Sequence, residues 1–324
     1  MSDASTHPQI VARSQIIEAF VNAPGAFYLL AFMAVFLSIW TPGFFSFANL
    51  TNVALQIAVL IILSMGMTLV ILTEGIDLSL GAVLGLCGVV SAAMIVAGYP
   101  LPVAIAAALL VGMLLGLLNG TLVALMGLPP FIITLGTLGI AQGIATVITQ
   151  GDSVVGLPDY IRWFNDGEFL GIPVPIWSTV GVFVLTWLLL YRTKFGRYIF
   201  AIGGNREALV LSGTRVNVFH ILVYVYAGCL AAFASFIMMA RTNSAHPLVG
   251  IGMEFDAIAA VILGGTSFEK GRGGIIGTVI GALAVGVLRN GMNLVGVGAE
   301  WQAAVVGVVI IGAVGLDSVR RLNA

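Results

Sequence analysis

Long stretches without a charged residue are the feature that most limits what this chain can fold into. Nothing is charged between Glu18 and Glu74, or between Asp77 and Asp152. A helix needs about 20 apolar residues to cross a bilayer, so each stretch is long enough for more than one crossing. Only 8% of the residues are charged, against roughly 25% in soluble proteins. The sequence therefore predicts a membrane protein that crosses the bilayer many times.

Glycine, proline and charged residues divide these stretches into ten predicted helices. The eighth is too short to cross a membrane alone, so we expect a half-helix or a broken helix there. The fold class is all-α, a polytopic bundle of about ten transmembrane helices (eight to ten). The helices are expected over residues 26–41, 52–73, 78–98, 101–126, 131–149, 172–191, 218–240, 254–266, 274–295 and 301–318.

The basic residues predict the orientation of the bundle, because cytoplasmic loops are rich in Lys and Arg. Both termini are expected in the cytoplasm, with residues 1–25 and 319–324 flanking a transmembrane domain over 26–318. Arg162 and Arg241 then lie outside, and Arg289 lies within a helix. The other ten of the 13 basic residues lie inside: Arg13, Arg192, Lys194, Arg197, Arg206, Arg215, Lys270, Arg272, Arg320 and Arg321.

Motifs of catalysis and cofactor binding are absent from the sequence. The glycine-rich stretch at 264–274, GGTSFEKGRGG, lacks the GKS or GKT ending of a phosphate-binding loop. The three histidines have no partner at metal-ligand spacing, so no metal site is expected. A net charge of -1 provides no basic surface for nucleic acid. We expect a chain that is not an enzyme and holds no cofactor.

The predicted outside loop at 150–171 is acidic and contains aromatic residues. Asp159, Arg162, Trp163 and Asp166 are its most prominent members. One interpretation is an aromatic helix lying on the membrane surface. The other is a docking surface for a partner outside the cytoplasm, because aromatic anchors within a polar rim suit interfaces.

The predicted inside loop at 192–217 contains a short capped helix. Gly203-Gly204 is expected to break the chain, Asn205 to cap the helix, and Glu207 to complement its dipole. Gly213 is expected to end it. A helix this short is marginal in water, so it must dock, either on lipid headgroups or on a protein partner.

Polar residues within the predicted helices are candidates for a solute path or a gate. Arg289 is an ionisable group inside the membrane and thus a functional candidate, although it could instead cap carbonyl groups of half-helices. Asp77 could cap the third helix. Neutral polar side chains suit a hydroxyl-rich solute and equally join helices. The path candidates are Glu74, Asp77, Asn119, Gln142, Arg289, Asn290 and Asn293.

Two glycine series recur at every fourth residue and predict close helix packing. They are Gly112, Gly116 and Gly120, and Gly273, Gly277 and Gly281.

Four segments of the chain, in this order, resemble a known family. The chain is similar to the permease subunits of bacterial ABC sugar importers of the ribose, xylose, arabinose and galactose type, which are related to branched-chain amino acid permeases. The resemblance covers about residues 45–318. One departure is Glu74-Gly75, where the family often has two glycines. The segments are TEGIDLSLG (73–81), GRYIFAIGGNREALVLSG (196–213), FDAIAAVILGGTSFEKGRGGIIGT (255–278) and RNGMNL (289–294).

The resemblance implies a multi-pass protein of the bacterial inner membrane with three protein partners. These are a second permease subunit (identical or different), a cytoplasmic ATPase that binds ATP and Mg²⁺, and a periplasmic solute-binding protein that faces the loop at 150–171. It also implies a coupling helix that seats on the ATPase. The matching positions are Arg197, Gly203, Gly204, Asn205, Arg206, Glu207, Ala208, Ser212 and Gly213.

The solute implied by the resemblance is a monosaccharide or a similar small polyhydroxylated molecule. Polyols, nucleosides, autoinducer sugars and amino acids are alternatives. An ion-coupled secondary transporter is a further alternative, but it needs titratable groups at the membrane midplane. From the sequence we expect only Arg289 to come near that position.

Overall fold

The computed structural model describes residues 25–41, 43–268 and 271–322, which are almost entirely helical. A small antiparallel hairpin lies between residues 166 and 174. Its two strands, of two residues each, are β1 (Glu168–Phe169) and β2 (Ile172–Pro173). The described residues contain twelve helices: α1 (Gly25–Trp40), α2 (Phe47–Leu72), α3 (Leu80–Val96), α4 (Leu101–Met126), α5 (Pro130–Thr149), α6 (Asp159–Asp166), α7 (Val174–Arg192), α8 (Lys194–Leu211), α9 (Val216–Thr242), α10 (Met253–Leu263), α11 (Ile275–Leu294) and α12 (Ala299–Leu322).

The predicted all-α class is confirmed, and a helix lies at each of the ten predicted positions. The largest difference is at α2, which begins at Phe47, five residues before the predicted start at 52, because Ser46 caps it by accepting from the Asn49 backbone N–H. Six helices are long and apolar enough to cross a membrane, namely α2, α4, α5, α7, α9 and α11. The predicted segment 1–25 lies outside the described residues except for Gly25.

The centre of the bundle is α2. Every residue from Ile57 to Leu72 is buried, as expected of a helix that is apolar on all sides. By contrast, α4, α5 and α7 expose rows of large apolar side chains, which suits contact with lipid.

The first glycine series and two residues of the second lie where helix backbones touch, as predicted, whereas Gly273 lies in the loop before α11 against Thr266. Along α4, Gly112, Gly116 and Gly120 lie against Gly228, Tyr224 and Ile221 of α9. Along α11, Gly277 and Gly281 lie against Gly264 and Ala260 at the end of α10. A side chain at these positions would meet backbone atoms of the neighbouring helix.

The loops gather at two opposite ends of the bundle. At one end, Gly203 of α8 lies against the Leu72 carbonyl at the end of α2. At the other end, the loop that leads to α6 pairs with the loop that follows α9, through Val154 and Ala245 (N···O 2.9 and 3.0 Å). We call these ends the α8 face and the α6 face.

Residues 243–252, here called the re-entrant segment, return from the α6 face into the bundle beside α3. Pro247 lies against Gly85 and Gly250 against Gly81. Helix α10 then runs from the bundle interior toward the α8 face. Its 11 residues span about 16 Å, roughly half of a hydrocarbon core. The predicted half-helix is therefore confirmed.

Candidate functional site

Helix α8, which contains the predicted coupling helix, consists of two helical pieces joined at Asn205. That residue has non-helical dihedral angles (φ -160°, ψ 88°), and its side-chain oxygen accepts from the Ala208 backbone N–H at 2.9 Å. The predicted cap at Asn205 is thus confirmed. The predicted break at Gly203-Gly204 is wrong, because the first helical piece runs through both glycines. Gly213, with φ 78°, follows the last turn as predicted.

The second piece of α8 is exposed. Arg206, Glu207 and Ala208 face outward, as do Ser212 and Gly213. We call this piece, residues 206–213, the tip of α8. Two of its apolar side chains are uncovered as well: Val210 is 54% exposed and Leu211 is 89% exposed. The tip therefore combines charge with an uncovered apolar end.

The buried piece of α8 connects the tip to the bundle. Gly203 lies against the Leu72 carbonyl and against Gly271, before α11. A side chain at this position would separate α8 from both. Gly203 therefore brings α8 into direct contact with the end of α2 and the loop before α11.

On the α6 face, α6 is an amphipathic helix that is anchored through two residues. Ile161 is fully buried, and Phe164 packs edge-on against Phe236 of α9 (ring centroids 4.9 Å). The four predicted docking residues all point outward: Asp159, Arg162, Trp163 and Asp166. Arg162 and Asp166 form an exposed ion pair at 3.5 Å.

A buried polar network joins the start of α3 to α4 and α5. The Asp77 carboxylate accepts from the backbone N–H (2.9 Å) and the hydroxyl of Ser79. The Asn119 amide donates to the Ser79 hydroxyl at 3.0 Å, and its oxygen accepts from Thr137. Ser79, not Asp77, is the N-cap residue of α3, so Asp77 stabilises the turn before the helix.

A polar cavity of about 280 Å³ opens at the α6 face, and we call it the vestibule. Its apolar side chains are those of Ile57, Leu60 and Met253. Its polar lining comes from α2, α9, α10, α11 and α12. These polar residues are Gln56, Arg241, Asp256, Arg289, Asn293 and Gln302.

An ion pair lies in the wall of the vestibule. One guanidinium nitrogen of Arg289 lies 2.7 Å from both carboxylate oxygens of Asp256. The side chain of Asp256 is 8% exposed and that of Arg289 is 35% exposed. Arg289 therefore pairs with a carboxylate of α10 and does not cap carbonyl groups of half-helices.

The structure separates the predicted path residues into different places. Arg289 and Asn293 line the vestibule, while Asn290 lies beside it and exchanges amide hydrogen bonds with Asn49 (3.0 and 3.1 Å). Asp77 and Asn119 belong to the buried network. Glu74 is exposed at the turn after α2, and Gln142 is half-buried on α5. The path role of these residues stays a prediction.

Sequence reasoning missed the buried carboxylates of α10. Glu254 and Asp256 are 2% and 6% exposed, and Asp77 is 1% exposed. Asp256 lies 2.7 Å from Arg289, so the expectation that Arg289 is the only ionisable group at its depth is wrong. Glu254 and Asp256 lie in the first turn of an apolar helix that is too short to span, and acidic residues at the start of such a helix were the available signal.

Comparisons with known proteins agree with this architecture. The profile of the family described as "Branched-chain amino acid transport system / permease component" matches residues 49–314. The chain belongs to this family. The predicted resemblance to permease subunits of ABC sugar importers is confirmed, together with a transport function and an inner-membrane location.

Three relatives are similar over nearly their whole length. Ribose import permease protein RbsC of Escherichia coli (strain K12) is 42% identical over 98% of this chain and 100% of its own length. Its namesake in Bacillus subtilis (strain 168) is 44% identical over 90% of this chain and 92% of its own. D-allose transport system permease protein AlsC of Escherichia coli (strain K12) is 42% identical over 92% of each chain. No solved structure matches the chain.

Proposed function

We propose that this permease forms the membrane path of an ATP-driven importer for a monosaccharide or a similar small polyhydroxylated solute. Two observations support this solute class. The relatives named above carry names that refer to ribose and allose. The vestibule is lined by amide, guanidinium and carboxylate groups, which bond to hydroxyl groups as donors and acceptors.

The observation that carries the proposal is the exposed tip of α8. A capped helix with Leu211 89% exposed lacks a partner for its apolar end within the described chain. We propose that a separate cytoplasmic ATPase covers it. That subunit binds ATP and Mg²⁺, since this chain has no phosphate-binding loop.

The proposed orientation places the α8 face in the cytoplasm. Arg192, Lys194, Arg197, Arg206 and Arg215 lie in and around α8, which agrees with a cytoplasmic excess of basic residues. Arg13 and Lys270 lie outside the described residues. With ten membrane-crossing segments, counting α10 together with the re-entrant segment as one, both termini lie on the α8 side.

The remaining partners belong to the same proposal. The outward residues of α6 form the docking surface for a periplasmic solute-binding protein. A second permease subunit, identical or different, pairs with this one to complete the transporter.

The proposed mechanism is alternating access. Closure of the ATPase pushes the α8 tip, and the close contact of Gly203 with Leu72 and Gly271 transmits this push to α2 and α11. These two helices carry Gln56, Arg289 and Asn293 of the vestibule. The push therefore reaches the walls of the cavity on the opposite face.

The coupling role is tested by exchanging the two charges at the tip. The double variant Arg206→Glu, Glu207→Arg should insert into the membrane normally but lose co-purification with the ATPase, or lose uptake. The matched control Arg162→Asp, Asp166→Arg exchanges a pair on the α6 face and should retain the ATPase. Full uptake and normal co-purification of the tip variant would show that α8 is not the coupling element.

A further inference from the structure

The vestibule has the features of a binding site within the permease itself. The re-entrant segment is non-helical although it runs beside α3 inside the bundle. Irregular backbone at membrane depth occurs where protein buries it or where it lines a water-filled cavity. Here it leads directly to Met253 and Asp256 in the wall of the vestibule.

The size of the vestibule suits a small solute. A volume of about 280 Å³ corresponds to roughly nine water molecules at about 30 Å³ each, which is enough for a pentose or a hexose. The apolar side chains of Ile57, Leu60 and Met253 complete its lining beside the polar groups.

The vestibule presents hydrogen-bond donors and acceptors close together. The Asp256 carboxylate and the Arg289 guanidinium lie side by side, and the Gln302 amide donates to the Asn293 side-chain oxygen at 2.7 Å. Gln56 makes no side-chain hydrogen bond within the described part of the chain. A hydroxyl group both donates and accepts, so a pair of neighbouring hydroxyls can match this arrangement.

The ion pair between Asp256 and Arg289 favours a neutral solute over an anionic one at that wall of the vestibule. Asp256 compensates the charge of Arg289 at 2.7 Å. A carboxylate or phosphate on the solute would have to compete with Asp256 for that guanidinium and would lie close to its negative charge. Arg241, near the opening, is the one basic group of this lining without an ion pair among the described residues.

We propose that the vestibule binds one neutral, hydroxyl-rich molecule of monosaccharide size, so that this permease itself contacts the solute during import. Gln56, Asp256 and Arg289 are the residues that hold it. The inference rests on the proposed function, because it requires that the chain transports a sugar. It goes beyond that function by placing a solute-recognition site in the permease as well as in the binding protein.

The test uses the complete transporter in proteoliposomes, with radiolabelled D-ribose and D-allose as probes and saturating binding protein. Gln56→Leu replaces the amide with an apolar side chain that is one atom shorter, and it removes no hydrogen bond within the described chain. Its maximal uptake rate should fall about threefold to tenfold, the equivalent of one lost hydrogen bond. The binding-protein concentration at half-maximal uptake should not change. The matched control is Thr179→Val, near the same face on α7, whose hydroxyl donates only to Pro175 of its own helix.

A second variant separates solute recognition from structural support. The exchange Asp256→Arg, Arg289→Asp keeps an ion pair but reverses the positions of donor and acceptor. The single variants Asp256→Arg and Arg289→Asp each bring two like charges together and should assemble poorly. The exchanged pair should recover assembly, yet leave uptake at least tenfold below the native rate.

The outcomes distinguish the two proposals. Native uptake of Gln56→Leu, or full recovery of uptake in the exchanged pair, would overturn the vestibule site and leave the importer intact. If the native complex takes up sugar phosphates or sugar acids in preference to the neutral sugars, the neutral-solute assignment is wrong. If the native complex takes up no sugar at all, the proposed function itself fails.

Discussion

At the scale of single residues, the permease holds three of its buried or half-buried charged side chains through specific neighbours. A charge brought into a low-dielectric interior loses several kcal/mol of hydration free energy, which only good geometry recovers. Arg289 meets Asp256, and Asp77 is held by Ser79. The partner of Arg289 is 33 positions away in the sequence, so only the fold could reveal it.

The hydrogen bonds of Asn119 predict a measurable contribution to stability. The substitution Asn119→Leu removes its bonds to Ser79 and Thr137, which join three helices. Side-chain hydrogen bonds in membrane proteins contribute about 0.6 kcal/mol on average and up to about 1.7 kcal/mol. We expect the free energy of unfolding to fall by roughly 1–2 kcal/mol, measured by denaturant titration in detergent.

The matched control for this variant is Gln142→Leu. Gln142 is half-buried on α5 and makes no side-chain hydrogen bond within the described residues. Its replacement should change stability by less than about 0.5 kcal/mol. Equal losses for Asn119→Leu and Gln142→Leu would show that the buried network does not stabilise the bundle.

At the scale of helices, local signals predicted the elements well and their boundaries less well. The cap at Asn205 and the end at Gly213 follow from local chemistry and are confirmed. The role of Gly203 was misjudged, because its lack of a side chain serves a close approach to Leu72 and not a break. The same residue type serves both purposes, and only a tertiary contact distinguishes them.

Helix α10 shows a second limit of sequence reasoning. Its length predicted a half-helix, which the structure confirms. The re-entrant segment that precedes it could not be predicted, because its position depends on Gly81 and Gly85 of α3. Those glycines lie more than 160 positions earlier in the chain, and the sequence carries no signal that connects the two.

The contact between α4 and α9 predicts that Gly116 tolerates no large side chain. In Gly116→Leu, the new side chain would meet the backbone of Tyr224 and Val225. Overpacking of this kind costs about 1–3 kcal/mol or more. We expect a lower yield of folded protein and a lower midpoint of thermal unfolding.

Gly181→Leu on α7 serves as the comparison for Gly116→Leu. A side chain at position 181 meets no atom within 4 Å, so its midpoint should match that of the native protein. If Gly116→Leu folds as well as Gly181→Leu, then α4 and α9 do not pack as described.

At the scale of the whole molecule, the bundle carries different features on its two opposite faces. The α8 face carries the exposed tip of α8, and the α6 face carries the vestibule and the outward residues of α6. The proposed import function needs such a separation, because energy and solute would arrive from different sides of the membrane.

The separation predicts opposite labelling of two introduced cysteines. In a variant with Cys87→Ala and Cys229→Ala, a membrane-impermeant maleimide added to spheroplasts should label Asp166→Cys directly. It should label Ser212→Cys only after the membrane is permeabilised. Labelling of Ser212→Cys in intact spheroplasts would reverse the proposed orientation.

In the proposed function, this permease passes a sugar through the membrane with energy from an ATPase seated on α8. The most direct test is uptake of radiolabelled D-ribose or D-allose into proteoliposomes that contain the complete transporter. We predict uptake only when ATP is present on the α8 side and loaded binding protein on the α6 side, with no effect of collapsing proton and sodium gradients. Uptake that continues without ATP and stops when those gradients collapse would contradict ATP-driven import and would favour an ion-coupled secondary transporter.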